Sequence, residues 1–378
     1  MPAYLDHINW SPIDPRVREA MIPHLSEKYG NPIAFHSAGQ KGAAALHRFR
    51  EKIASFIGAS PREIIFTSGS MESDNLAVKG VLTSDDDGQL IASAVEPQSV
   101  LQSAIFLERW GYTTALIPVD AHGRIDLSSL DELYTDKARL ISVTWVVDGI
   151  GTVQPIEDVA NWAKDRGIPF HCGGTAASRL FPINVRKMNI DLMTLNANTL
   201  GGPPGVGALY VREGIKIQPQ IEGGLQERGR RGGMEPLADI AGFAKAAELA
   251  AQERDVRLEK LKAMDCYLRE SLSDVPDLVI HADGPTRAPG TLSCRAEGIE
   301  AEALLMQLDD AEIYASADSP CAGISRKSSH ILKAIGLSEE QANSTLSFSL
   351  SWETQKSEID DLITVMKPEI ERLRAMSF

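Results

Sequence analysis

From about residue 60 the chain alternates short β-rich runs with helical stretches, and that rhythm constrains the fold more than any other feature. EIIFTSG reads as a strand entering a turn, and SDNLAVKGVL as a helix. QLIASAVE, TTALIPV, LISVTWVV and IPFHCGG read as further strands, separated by helices such as VLQSAIFLERWG and IEDVANWAKDRG. Parallel strands need helix-bearing crossovers of one hand, so the pattern predicts an α/β fold with a largely parallel sheet covered on both faces. After Gly233 the apolar residues of PLADIAGFAKAAELAAQERDVRLEKLKAMDCYLRESL recur at helical spacing, which predicts a long helix. Beyond it LVIHAD, GTLSCRAEG and STLSFSLS read as strands among the helices AEALLMQLDD, SSHILKAIG and KSEIDDLITVMKPEIERLRA. The expected domains are a large α/β domain over 15–255 and a smaller α+β domain built from 1–14 and 256–378, the latter carrying the Cys321 loop.

A chain of 378 residues exceeds the ~250–300 at which single cores stop growing, in keeping with two domains. MPAYLDHINWSPID has neither a basic nor an apolar leader segment, and no apolar run approaches the ~18 residues that span a bilayer. The expectation is a cytoplasmic protein with no membrane partner. A net charge of -14 argues against non-specific nucleic-acid binding, which depends on neutralising phosphates. Against that background Arg228, Arg230 and Arg231 form one basic cluster, read from pattern alone as a solvated loop. Cys172, Cys266, Cys294 and Cys321 show no CxxC pairing and are read as reduced thiols.

The turn Thr67-Ser68-Gly69-Ser70-Met71-Glu72 joins a strand to a helix, and free N–H groups with the helix dipole make such a turn an anion site. Further along, DLMTLNANTLGGPPGVGALYVR runs from Asp191 to Arg212 as an apolar strand, a polar tetrad, a Gly-Pro turn and a second strand. These segments, with YLDHINWSPIDPRVREAM, YGNPIAFHSAGQKG, GIGTVQPI, EGGLQERGRRGGMEPLADIAGFAKAAELA and CAGISRKSSHILKAIGLS, stand in an order that closely resembles the cysteine desulfurases, class V aminotransferases of fold type I. The resemblance runs from Tyr4 to about Leu362. It implies a fold type I aminotransferase-like chain, pyridoxal phosphate chemistry, and a dimer whose active sites lie at the interface.

The resemblance departs where the family holds its cofactor. The lysine that forms the Schiff base, expected after a Ser-x-His pattern, is Thr199, preceded by Asn196 and Asn198. In the His-x-Asp-Ala-x-Gln run, His171 is kept, Gly173 replaces the aspartate that pairs with the pyridine nitrogen, and Ala176 replaces the glutamine. Pro97 follows Glu96 where the ring-stacking histidine belongs, and Met71 stands for the phosphate-binding threonine beside the retained Ser70. Met234 replaces the cross-subunit threonine, Asp148 or its neighbour Val147 the asparagine, and Ser347 the arginine that receives the substrate carboxylate. Threonine forms no imine, and each lost charged hydrogen bond is worth ~1.5–3 kcal/mol. Lys41 is the one lysine near the expected cleft. The expectation is therefore that pyridoxal phosphate binding is lost and no cofactor is used.

Cys321 falls at the family's sulfur-accepting cysteine, and two readings stand: a persulfide acceptor or an inert inherited thiol. Cys172 is expected to line the vacated pocket beside His171, and either fills space or joins Cys321 in a metal site. Met71, Met234 and Pro97 suit a pocket refilled by apolar side chains, and His36 is equally structural or functional. The functional expectation is a non-catalytic desulfurase paralogue, forming a homodimer or a heterodimer with an active desulfurase. It would serve sulfur transfer, iron–sulfur cluster assembly or thio-modification, with a possible sulfur-acceptor protein. The alternatives are a persulfide relay through Cys321, and a repurposed pocket for another small anion or a metal at Ser70, His171, Cys172 and Thr199.

Overall fold

The computed structural model describes residues 2–84, 87–284, 286–317 and 329–376. Thirteen strands are found among them, and seven form one sheet. In chain order they are β1 (Ala3–Tyr4), β2 (Ile64–Thr67), β3 (Gln89–Ser93), β4 (Thr113–Ile117), β5 (Ala138–Thr144), β6 (Phe170–Gly173), β7 (Leu192–Asn196) and β8 (Gly207–Val211). After the long helix come β9 (Leu278–Ile280), β10 (Thr291–Ala296), β11 (Ile313–Tyr314), β12 (Ser316–Ala317) and β13 (Thr345–Ser349).

The large sheet has the order β2-β8-β7-β6-β5-β3-β4, and only β8 runs antiparallel to its neighbours. The largely parallel sheet expected from the alternating pattern is thus observed. Its central strands are buried on both faces, which is why they read as near-continuous apolar runs. The helices Ser70–Leu82, Gln98–Glu108 and Ile156–Asp165 lie in its crossovers.

The helix Leu237–Ser273 is 37 residues long and buries Ile240, Phe243, Ala247 and Leu268 along its length. It packs on the helices Pro15–Ser26 and Ser37–Ile57 and on the terminal helix Lys356–Met376. The smaller sheet has the order β12-β13-β10-β9, all antiparallel, and β1 at the chain's start pairs with β11. The first residues therefore sit with the C-terminal part of the chain, while one apolar core runs from Leu5 through Phe170 to Phe348 and Ile370.

Loop 226–233 is not the solvated loop that its arginines suggested. Glu227 and Arg228 take positive φ of 47° and 60°, a costly conformation that ion pairing offsets. Arg50 grips the Glu227 carboxylate through two bonds of 2.6 Å, and the Phe66 N–H donates to the same group. Arg228 and Arg230 donate to the Arg62 carbonyl, Arg228 also to that of Ile64, and Arg231 pairs with Glu72 at 2.8 Å. The basic cluster is a clamp on the edge strand β2, which no charge count reveals.

Candidate functional site

In an open parallel sheet the strands' C-terminal ends converge on one edge, where ligands bind. Here that edge gathers Ser68–Ser70 after β2, Glu96 and Pro97 after β3, Trp145–Asp148 after β5, Gly173–Arg179 at and after β6, and Asn196–Thr199 at and after β7. Most of the substituted positions in the sequence fall on these loops.

The turn after β2 leaves open space around Gly69. Gly69 caps the helix Ser70–Leu82 without a side-chain hydrogen bond, and a Cβ built on it would meet nothing within 4 Å. Glu72 steadies the turn by accepting the Ser68 N–H at 2.7 Å while it pairs with Arg231.

The polar tetrad after β7 is fully engaged. Asn196 Oδ1 accepts the Thr199 N–H at 3.1 Å and its hydroxyl at 2.7 Å. Asn198 pairs with Ser11 through both amide atoms, accepting the Ser11 N–H at 3.1 Å and donating to its carbonyl at 3.0 Å. Thr199 is buried. These residues lock the turn to the N-terminal segment and present no amine.

The floor of the edge is a buried polar chain. His171 Nδ1 lies 2.9 Å from Ser142 Oγ, and its Nε2 lies 2.9 Å from Thr194 Oγ1 and 3.7 Å from Asp74 Oδ1. Ser142 Oγ is also 2.9 Å from Glu96 Oε2, whose other oxygen accepts the Thr144 N–H at 2.6 Å. Ser99 donates to Asp74 at 2.5 Å. Burial raises the carboxyl of Glu96 to about 7 and that of Asp74 to about 6, and lowers the His171 imidazole to about 3. Ser142 donates to Glu96, and His171 links Ser142 to Thr194 through its two ring nitrogens, so the buried acids and the imidazole form one connected polar chain.

Several sequence expectations are corrected here. Cys172 does not line a pocket beside His171: adjacent strand residues face opposite sides, and Cys172 packs in the apolar core, where burial pushes its thiol well up. Met71 and Met234 do not refill the site; they are 71% and 69% exposed. Pro97 is half-buried and opens the helix Gln98–Glu108. At Gly173 a Cβ would stand 2.9 Å from Thr144 Oγ1 and 3.1 Å from its Cα, so the aspartate position is sterically closed. Ala176 is buried, and Ser347 is buried within β13, paired to Ser293 and Ser316. His36 caps the helix Ser37–Ile57 by accepting the Gly39 N–H at 3.1 Å, and Lys41 is exposed on that helix. Cys321 lies outside the described residues. No cluster of three metal-ligating side chains is present among the described residues. Sequence reasoning missed Asp74, Ser142 and Thr194, which are scattered singly through apolar runs.

Residues 3–362 match the Aminotransferase class-V family. The chain belongs to that family. Among its relatives, the "Cysteine desulfurase IscS" of Dictyoglomus turgidum is 37% identical, with 99% of this chain and 96% of that protein covered. A solved "NIFS-LIKE PROTEIN" superimposes with a TM-score of 0.92 at 29% identity, covering 99% of this chain and 100% of that one. The structure titled "SspA in complex with cysteine" gives 0.79 at 33% identity, covering 92% and 98%. The sulfur-transfer branch of the class-V aminotransferases is thus where this chain sits.

Membership overturns the expectation that pyridoxal phosphate binding is lost: the family's members depend on pyridoxal phosphate, and that points to it as this chain's cofactor. The residues fit the group at one end. The open turn at Gly69 and Ser70 suits its phosphate, while Thr199 offers no amine for a covalent bond and Gly173 no carboxylate for its ring nitrogen. Among the described residues no helix is long and apolar enough to cross a membrane.

Proposed function

We propose that this class-V aminotransferase family member serves sulfur transfer as a partner subunit that does not itself release sulfur from cysteine. The observation that carries the reading is Thr199, buried at the place of the Schiff-base lysine with its hydroxyl held by Asn196. Pyridoxal phosphate supplies an electron sink for charge developing at a substrate's α-carbon when bound. In this chain Ser70 and the N–H groups of its turn would hold the phosphate without a covalent tether. The closed position at Gly173 leaves the ring nitrogen without a carboxylate to keep it protonated.

A run of large apolar side chains, Ile22, Leu25, Tyr29, Ile33 and Phe35, stands exposed along one stretch of chain. That supports a protein-facing surface, because such patches mark interaction sites. An active cysteine desulfurase is the partner that the family suggests, with iron–sulfur or thio-modification chemistry as the consumer. The test is sulfide release from L-cysteine with pyridoxal phosphate present, paired with size-exclusion and light scattering against an active desulfurase. The reading expects no turnover by this chain alone and a mixed complex of defined stoichiometry. Turnover by this chain alone overturns it.

A further inference from the structure

The turn after β5, the start of the helix Ile156–Asp165, the long helix Leu237–Ser273 and the segment leading into β10 enclose a cleft of about 570 Å³. That volume falls in the ~300–1,000 Å³ range of small-molecule sites. The floor is aromatic: Trp145 stacks on Phe181 with ring centroids 5.3 Å apart and planes 14° from parallel. Phe181, Met188 and Leu258 pack on the main core but stay half-buried, so the cleft keeps apolar surface in contact with water. Trp145 is only 8% exposed, yet its indole N–H has no acceptor among the described residues. Trp145 lies three residues beyond Ser142 and so faces the other side of the sheet from the Glu96–His171 chain, joining Val143 and Cys172 in the core. The cleft is therefore not part of that polar chain.

Its walls are preformed. The Val153 N–H donates to the Thr286 carbonyl and the Ala288 N–H to that of Gly151, both at 2.8 Å. Gln154 donates to the Gly123 carbonyl at 2.6 Å and accepts the Ile125 N–H at 3.0 Å, which fixes the turn bearing Arg124. Three cations line the cleft: Arg124, Lys262 and Arg287. Arg287 is already neutralised by Asp265, at 2.6 and 2.7 Å. Arg124 and Lys262 have no carboxylate in ion-pair contact among the described residues, and the Arg124 guanidinium reaches only the Val153 carbonyl, at 3.4 Å. Glu157 and Asp158 also border the cleft, exposed in the first turn of the helix Ile156–Asp165, where they complement its dipole. Their charge keeps the mouth from attracting bare anions, so an anionic ligand must also gain from burying an apolar body. A flat ring laid on Phe181 supplies that gain. An acidic group on the same molecule would meet two free cations and an unused N–H, the charge-assisted bonds that are strongest.

We propose that this cleft binds a small planar aromatic anion, its ring against Phe181 and its carboxylate or phosphate held by Arg124, Lys262 and the Trp145 N–H. Such a site draws on neither pyridoxal phosphate nor sulfur transfer, and it stands whether or not the chain serves either.

Calorimetric titration of the full chain tests this with indole-3-acetate and AMP, and with indole, acetate, adenosine and inorganic phosphate as half-ligands. At least one of the two aromatic anions is expected to bind roughly tenfold more tightly than either of its halves. Binding of indole-3-acetate alone assigns a carboxylate head, of AMP alone a phosphate head, and of both a site that reads ring and charge. Arg124→Met and Lys262→Ala should each weaken the bound anion roughly tenfold and leave the uncharged half-ligand unchanged. If Arg124→Met does not fold, Lys262→Ala carries the test, because Lys262 is exposed and makes no contact that folding needs. Absence of binding by both aromatic anions, a half-ligand binding as tightly as its parent, or full affinity in every folded variant would overturn the proposal.

Discussion

Replacing Glu96 by glutamine should stabilise the protein at high pH and leave it unchanged at low pH. Glu96 is fully buried, and burial raises its carboxyl from 4.5 to about 7, against the hydrogen bonds from Thr144 and Ser142. An acid raised on folding is best tolerated when protonated. Its stability contribution is intact below the unfolded value and is lost as pH rises through the folded one. At ~1.4 kcal/mol per tenfold change in proton affinity, the loss above pH 7 is about 3 kcal/mol. Glutamine removes the charge and keeps the shape: Oε1 still accepts the Thr144 N–H, and Nε2 faces the Ser142 hydroxyl oxygen, which has lone pairs to accept it. With ~2.1 cal/mol/K of unfolding entropy per residue over 378 residues, the gain is about 4 °C in melting temperature. Differential scanning calorimetry from pH 4.5 to 8.5 reads it directly. Equal melting temperatures at every pH, or a destabilised variant at pH 8, would refute the reasoning.

Restoring an aspartate by Gly173→Asp should lower stability by ~1–3 kcal/mol through overpacking against Thr144, and Thr144→Ala in the same chain should recover part of it; urea unfolding measures both, and an undiminished single variant contradicts the closed geometry. Arg50→Met leaves the buried Glu227 carboxylate without its cation and should cost ~3–5 kcal/mol, or about 4–6 °C. Adding Glu227→Gln, which removes the charge but keeps an acceptor for the Phe66 N–H, should return most of that; thermal unfolding of both variants decides it.

The central strands of the large sheet were legible because both faces are covered, so their sequences are mostly apolar and their punctuation by Gly, Pro and Ser is sharp. Side assignment within a strand is legible too: period-two alternation puts Cys172 opposite His171. The arginines of loop 226–233 misled because charge in a Gly-rich run looks solvated, whereas Glu227, buried within that same loop and paired to the sequence-distant Arg50, organises them. Asp74 and Glu96 gave no signal, since a single acid inside an apolar helix or turn resembles a surface position until neighbouring strands cover it. The departures at Thr199 and Gly173 were plain in sequence, yet they speak to attachment and ring pairing, while the family match points to pyridoxal phosphate as the cofactor.

The most direct test of the central claim concerns attachment. The full chain is incubated with pyridoxal phosphate, reduced with borohydride, digested, and mapped by mass spectrometry, with a dialysed sample followed by absorbance. With Thr199 at the lysine position, the account predicts a ligand that leaves on dialysis and no stoichiometric pyridoxyl adduct on any lysine. A stoichiometric adduct, on Lys41 or any other lysine, would contradict it.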